Sequence, residues 1–86
     1  MFWYVYIVQC SDQSLYTGIT IDIARRIREH NASDDLGAKS LRGKRPVKLV
    51  YNEVYSSQTE ARKREAEIKS WKREYKLKLI KRSSKD

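Results

Sequence analysis

Tyr6, Tyr16, Gly18, Arg26, His30 and Glu65 are the residues of this chain whose types and spacing could do chemistry together. Two phenols, a glycine, a guanidinium, an imidazole and a carboxylate are the parts of a metal-assisted phosphodiesterase. Hydrolysis of a phosphodiester needs a positioned water, neutralised phosphoryl oxygens and a stabilised leaving oxygen. A divalent ion held by one or two carboxylates can perform the last two tasks, and Glu65 is the acidic residue expected to hold it. The guanidinium of Arg26 matches two phosphate oxygens and does not titrate. His30 or a tyrosine would accept the water proton, a phenol only if its pKa were depressed. Gly18 on a strand face lets backbone and ligand approach closely. Each residue also has an ordinary structural use: tyrosines pack on strands, helical histidines pack or lie on the surface, and Glu65 can pair with Arg62 or Lys69. Only the joint spacing points to a site.

The elements that must hold these residues are legible in the apolar pattern. Phe2 to Cys10 is aromatic and β-branched and reads as a strand, with Trp3, Val5 and Ile7 on one face and Tyr4, Tyr6 and Val8 on the other. A polar turn over Ser11–Ser14 leads to a second strand, Leu15 to Ile19, on which Tyr16 and Gly18 share a face. Thr20 is the expected N-cap of a helix running to about Asn31, with Asp22 in its first turn. On that helix Arg26 and His30 are four residues apart and project from one side. The stretch from Ala32 to Pro46 reads as a long mobile loop whose Lys39, Arg42, Lys44 and Arg45 suit phosphate contacts. Val47 to Tyr55 reads as a third strand with Val47, Leu49 and Tyr51 on one face. Ser57 with Glu60 is a capping box opening a long helix. Its apolar stripe is Ala61, Ile68, Trp71 and Tyr75, which puts Glu65 on the buried side. Leu77 to Ile80 either extends that helix or forms a short second one.

Composition sets the outer bounds. At 86 residues, 40% apolar and 35% charged, the chain is expected to be one domain, 1–86, with a thin core. Net charge is +8, but residues 1–60 hold 8 basic and 7 acidic side chains, whereas residues 61–86 hold 11 and 4. The cationic charge is therefore concentrated near the C-terminus, as in proteins that face a polyanion; Lys69 and Lys72 join the loop residues as expected phosphate contacts. The lone cysteine, Cys10, excludes an internal disulfide and a cysteine-built zinc site. The apolar start, Met1 to Val8, is too short for a signal peptide or a membrane span, so the expectation is a cytoplasmic protein with no membrane role.

Taken together, the motifs resemble the GIY-YIG nuclease family. Tyr4-Val5-Tyr6 stands where that family has its first triad and Tyr16-Thr17-Gly18 where it has its second. Arg26 and His30 look like its helix-borne arginine and histidine, and Ala61 to Glu65 is similar to the segment carrying its metal-binding glutamate. The resemblance covers nearly the whole chain and is nearest to the small stand-alone bacterial branch, which also resembles the nuclease domain of Slx-type endonucleases. It implies an α+β fold, a three-stranded antiparallel sheet flanked by helices. It further implies Mg²⁺- or Mn²⁺-dependent cleavage of nucleic-acid strands. In that scheme Tyr6 and Tyr16 position or activate water and Gly18 shapes the site. Arg26 holds the phosphate, His30 assists proton transfer and Glu65 binds the metal.

Two functions are expected on these grounds. The first is a DNA endonuclease, structure-directed rather than sequence-specific because phosphate contacts position without reading sequence; RNA is the alternative substrate, and a protein partner would supply further specificity. The second is a non-catalytic nucleic-acid-binding module that retains the fold.

Overall fold

β1 (Trp3–Gln9) is the middle strand of a three-stranded antiparallel sheet of order β2-β1-β3, with β2 spanning Leu15–Thr20 and β3 Lys48–Tyr55. This is a computed structural model that describes residues 1–32 and 36–83. The expected α+β architecture is present: α1 (Ile23–Ala32) follows β2, a 3₁₀ turn (Lys39–Leu41) precedes β3, and α2 (Gln58–Lys69) and α3 (Arg73–Ser83) complete the chain.

A central strand must bury both faces, and its alternation assigns one core to each. Val5 and Ile7 pack with Ala61 and Ile68 of α2, bordered by Leu15, Ile19, Trp71 and Leu79. Tyr6 and Val8 pack on the other side with Cys10, Leu41 and Val47, bordered by Tyr16, Ile27 and Ala38. Cys10 is thus a small packing residue. The pairing Tyr6 with Gly18 and Val8 with Tyr16 fixes which residues share the α1 side.

Four local expectations change. The N-cap of α1 is Asp22, whose carboxylate accepts the Arg25 N–H at 3.0 Å, while Thr20 Oγ1 accepts the Asp22 N–H at 3.1 Å in the turn before it. In β3 a bulge between the partners of Ile7 and Val8 inserts Val50, so alternation fails there. Val50 and Tyr51 both join the α2 side, and Leu49 is exposed. The long helix ends at Lys69, where the Ser70 hydroxyl donates to the Glu67 carbonyl at 2.6 Å; α3 is a separate eleven-residue helix and Tyr75 is 52% exposed rather than part of a buried stripe. The loop is not irregular throughout: it carries the 3₁₀ turn Lys39–Leu41, which Leu41 anchors in the core. At Ser57 the capping box forms as expected, its hydroxyl accepting the Glu60 N–H at 3.2 Å.

Candidate active site

The register of the β1–β2 hairpin builds the site. Tyr6 lies opposite Gly18, and its ring crosses the strand so closely that a Cβ at position 18 would stand 2.6 Å from the phenolic oxygen. Any side chain there would collide with Tyr6. The space that Gly18 opens is therefore filled by the phenol, not by a ligand as expected from strand spacing.

Tyr6 and His30 meet beneath that crossing. The phenolic oxygen is 2.8 Å from His30 Nε2, and both residues are fully buried. The Ala38 N–H donates to His30 Nδ1 at 3.2 Å, so in the neutral ring the proton sits on Nε2 and is donated to Tyr6. The phenolic oxygen also takes a hydrogen bond from the Arg26 guanidinium. Burial pushes Tyr6 up to about 12, with the Tyr16 and Glu65 charges adding to it and Arg26 opposing. Burial, then Arg26 and Arg45, pull His30 down to about 4 against the Glu29 carboxylate. At neutral pH this is a neutral phenol held by a neutral imidazole.

Tyr16 completes an aromatic cluster, its ring centroid 6.3 Å from that of Tyr6 and 5.5 Å from His30, edge-on. It is half-buried, and its hydroxyl makes no hydrogen bond among the described residues. Arg26 lies on the same side, as the spacing with His30 requires. Its Nη1 donates to Glu29 at 2.9 Å and to the Leu36 carbonyl. Glu65 comes from α2, its side chain 22% exposed and its Oε2 3.2 Å from Lys69 Nζ. Four of the other five residues singled out by spacing therefore converge directly around the Tyr6 ring, and the fifth, Glu65, is near enough for its charge to act on that phenol.

Comparison with known proteins decides the family. The model of the GIY-YIG catalytic domain matches residues 2–78. The chain belongs to the GIY-YIG family. A UPF0213 protein of Haloquadratum walsbyi is 57% identical over 76 residues, 88% of this chain and 83% of that one. One from Staphylococcus haemolyticus is 54% identical, covering 90% and 92% respectively. The solution NMR structure of a UPF0213 protein from Bacillus halodurans superposes with a TM-score of 0.59 at 42% identity, covering 93% of this chain and 83% of that one.

A GIY-YIG domain is a nuclease-type fold, which supports a nucleic-acid substrate, and such nucleases generally use a divalent metal ion. The donors present amount to a single carboxylate at the cleft: no three His, Cys, Asp or Glu side chains converge among the described residues, and Glu65, whose charge reaches Tyr6, is paired with Lys69. Glu65 would hold an ion only with water and phosphate oxygens filling the other positions. Magnesium is commonly bound in this way, with few protein ligands and retained waters.

The cations expected to touch phosphate are less uniform. Lys39, Arg42, Lys69 and Lys72 are exposed. Lys44 is 3.9 Å from Asp12, and Arg45 is half-buried, close enough to depress His30. GIY-YIG spacing did not disclose the contribution of the loop, where the Ala38 amide sets the His30 tautomer and the Leu36 carbonyl anchors Arg26. Only the Arg26–Glu29 pair, three apart on a helix, carried a readable signal. Among the described residues no helix is long and apolar enough to cross a membrane.

Proposed function

We propose that this chain is a divalent-metal-dependent endonuclease of the GIY-YIG type, acting on DNA, with Mg²⁺ or Mn²⁺ as the ion. The reading rests chiefly on one observation: Tyr16, Gly18, Arg26 and His30 gather around Tyr6 with the Glu65 charge within reach. The bound ion would neutralise the phosphoryl and leaving oxygens. Arg26 contributes a fixed positive charge at the phosphate, with Glu29 and Leu36 orienting its fork. Tyr16, whose hydroxyl has no protein partner among the described residues, contacts the water or the phosphate. Tyr6 donates its proton into the cleft as a neutral phenol. His30, whose Nδ1 accepts the Ala38 N–H and whose Nε2–H is donated to Tyr6, has no free lone pair to relay a proton and acts through Tyr6 as a positioning residue.

Lys39, Arg42, Lys44, Arg45, Lys69 and Lys72 supply phosphate contacts, which favours recognition of strand shape over sequence. Residues 1–86 are taken as one domain, cytoplasmic in location, with sequence preference coming from a protein partner. RNA is the competing substrate. The test incubates the protein with duplex, flap and branched DNA, and with RNA of the same design, in Mg²⁺ or Mn²⁺. Products that vanish with Tyr16→Phe and Arg26→Ala support the reading; no product on any substrate sinks it. A second reading, a binding module without turnover, is favoured by Lys69 holding the Glu65 carboxylate and by the cationic C-terminal segment. It predicts salt-sensitive binding that is indifferent to metal.

A further inference from the structure

On the opposite side of the sheet from Tyr6, α3 and the turn before it form a groove of about 460 Å³ lined by Trp71, Tyr75, Lys78, Leu79 and Arg82. Trp71 and Leu79 border the core built on Val5 and Ile7, so the groove is separate from the cleft around Tyr6. Its lining combines two aromatic rings with two cations. The Trp71 ring already carries the Arg64 guanidinium, 5.2 Å from its centroid. Arg64 is held there by Glu53, whose carboxylate accepts its Nε and Nη2 at 2.9 Å each, and this anchors the ring. Tyr75 is exposed and lies 5.3 Å from Lys78 Nζ.

Charge decides among occupants. Lys72, Lys76, Lys78, Lys81 and Arg82 form no ion pair among the described residues. A second copy of so cationic a surface would be repelled. The partner must be anionic and must also offer flat apolar groups to the rings. Unpaired nucleotides combine the two, stacking bases on aromatic side chains while phosphates meet Lys and Arg. We infer that this groove is a second nucleic-acid site, which holds an unpaired single-stranded segment while the cleft on the other side engages the scissile strand. The groove fits the size of ordinary ligand pockets, and anchoring of Trp71 by Arg64 and Glu53 limits what must be ordered on binding. The inference rests on the reading of the chain as acting on nucleic acid.

The test uses Trp71 as reporter in a Trp3→Phe background, with chelator present so that no strand is cut. The probes are an oligothymidylate of about eight nucleotides, within the range bound by single-strand modules, an abasic oligomer of equal length, and poly-glutamate. Saturable quenching of Trp71 by oligothymidylate is expected, weakened about tenfold or more by Tyr75→Ala or by removing the bases, as loss of one stacked base implies. Lys78→Gln should lower the slope of log affinity against log salt by about 0.7. The inference is overturned if oligothymidylate does not quench Trp71, if the abasic oligomer or poly-glutamate binds as tightly, or if Tyr75→Ala and Lys78→Gln both change nothing. Cleavage by the unmodified chain, measured separately with metal, tells failure of the groove from failure of the nuclease reading.

Discussion

Acidification should unfold this protein through His30 in a calculable way. The imidazole is fully buried, hydrogen-bonded on both nitrogens, and held near 4 against an ordinary 6.5. The unfolded chain therefore takes up a proton that the fold refuses. The contribution is present in full above the unfolded value and is lost as pH falls from about 6.5 toward about 4. Between about pH 7 and about pH 4.5 the loss integrates to roughly 2.5 kcal/mol, a large share of the stability of so small a domain. Other groups respond to acid as well: burial opposes it, yet hydrogen bonds from Arg64, Tyr51 and Tyr55 hold Glu53 below the usual carboxylate range. The His30 share is isolated by comparison with His30→Gln, which does not titrate and can accept from Ala38 while donating to Tyr6. Urea unfolding of both proteins at the two pH values gives the difference. The wild type should lose about 2 M more in midpoint than the variant, for a slope near 1 kcal/mol per molar. Equal losses in the two proteins would refute the buried neutral imidazole and, with it, the donation to Tyr6.

Three further outcomes follow from the same contacts. Gly18→Ala should displace the Tyr6 phenol, cost about 1–3 kcal/mol in urea unfolding and abolish cleavage, and a crystal structure of the variant should show Tyr6 parted from His30. Asn31→Ala removes a side chain that accepts the Val47 N–H at 2.7 Å and donates to its carbonyl at 3.0 Å; the loss of about 2 kcal/mol should appear as a lower melting temperature. Glu53→Gln leaves Arg64 with half its bidentate partner and should destabilise by about 1–2 kcal/mol. A lower urea midpoint at neutral pH, with an unchanged circular dichroism spectrum, checks this.

How far this site could be read from sequence depended on the range of each contact. Strand alternation assigned Tyr6, Tyr16 and Gly18 to one face, and helical spacing put Arg26 beside His30, because both rules depend only on local backbone geometry. The same local rules failed where a distant partner intervened. The Val50 bulge is dictated by pairing with β1, so alternation across residues 47–51 assigned Leu49 to the wrong environment. The break at Ser70 converts a continuous stripe into two helices and leaves Tyr75 outside, forming the groove on α3. The His30 tautomer depends on a backbone amide eight residues away in a loop without periodicity, and Gly18 turned out to admit a side chain from its own sheet. Residue types named the chemistry; long-range packing decided which groups are neutral, buried or open.

The central claim is that Glu65 holds the ion on which strand cleavage depends. The most direct measurement is single-turnover cleavage of a labelled branched DNA by wild type and Glu65→Gln across a Mg²⁺ titration, with the fold of both checked by circular dichroism. Glu65→Gln removes one negative charge and half the chelating power at nearly constant shape. Cleavage should saturate with Mg²⁺ in the wild type and fall by about a hundredfold or more in the variant, in line with loss of several kcal/mol of charge stabilisation. Equal rates in the two proteins, or cleavage unaffected by chelator, would contradict the claim.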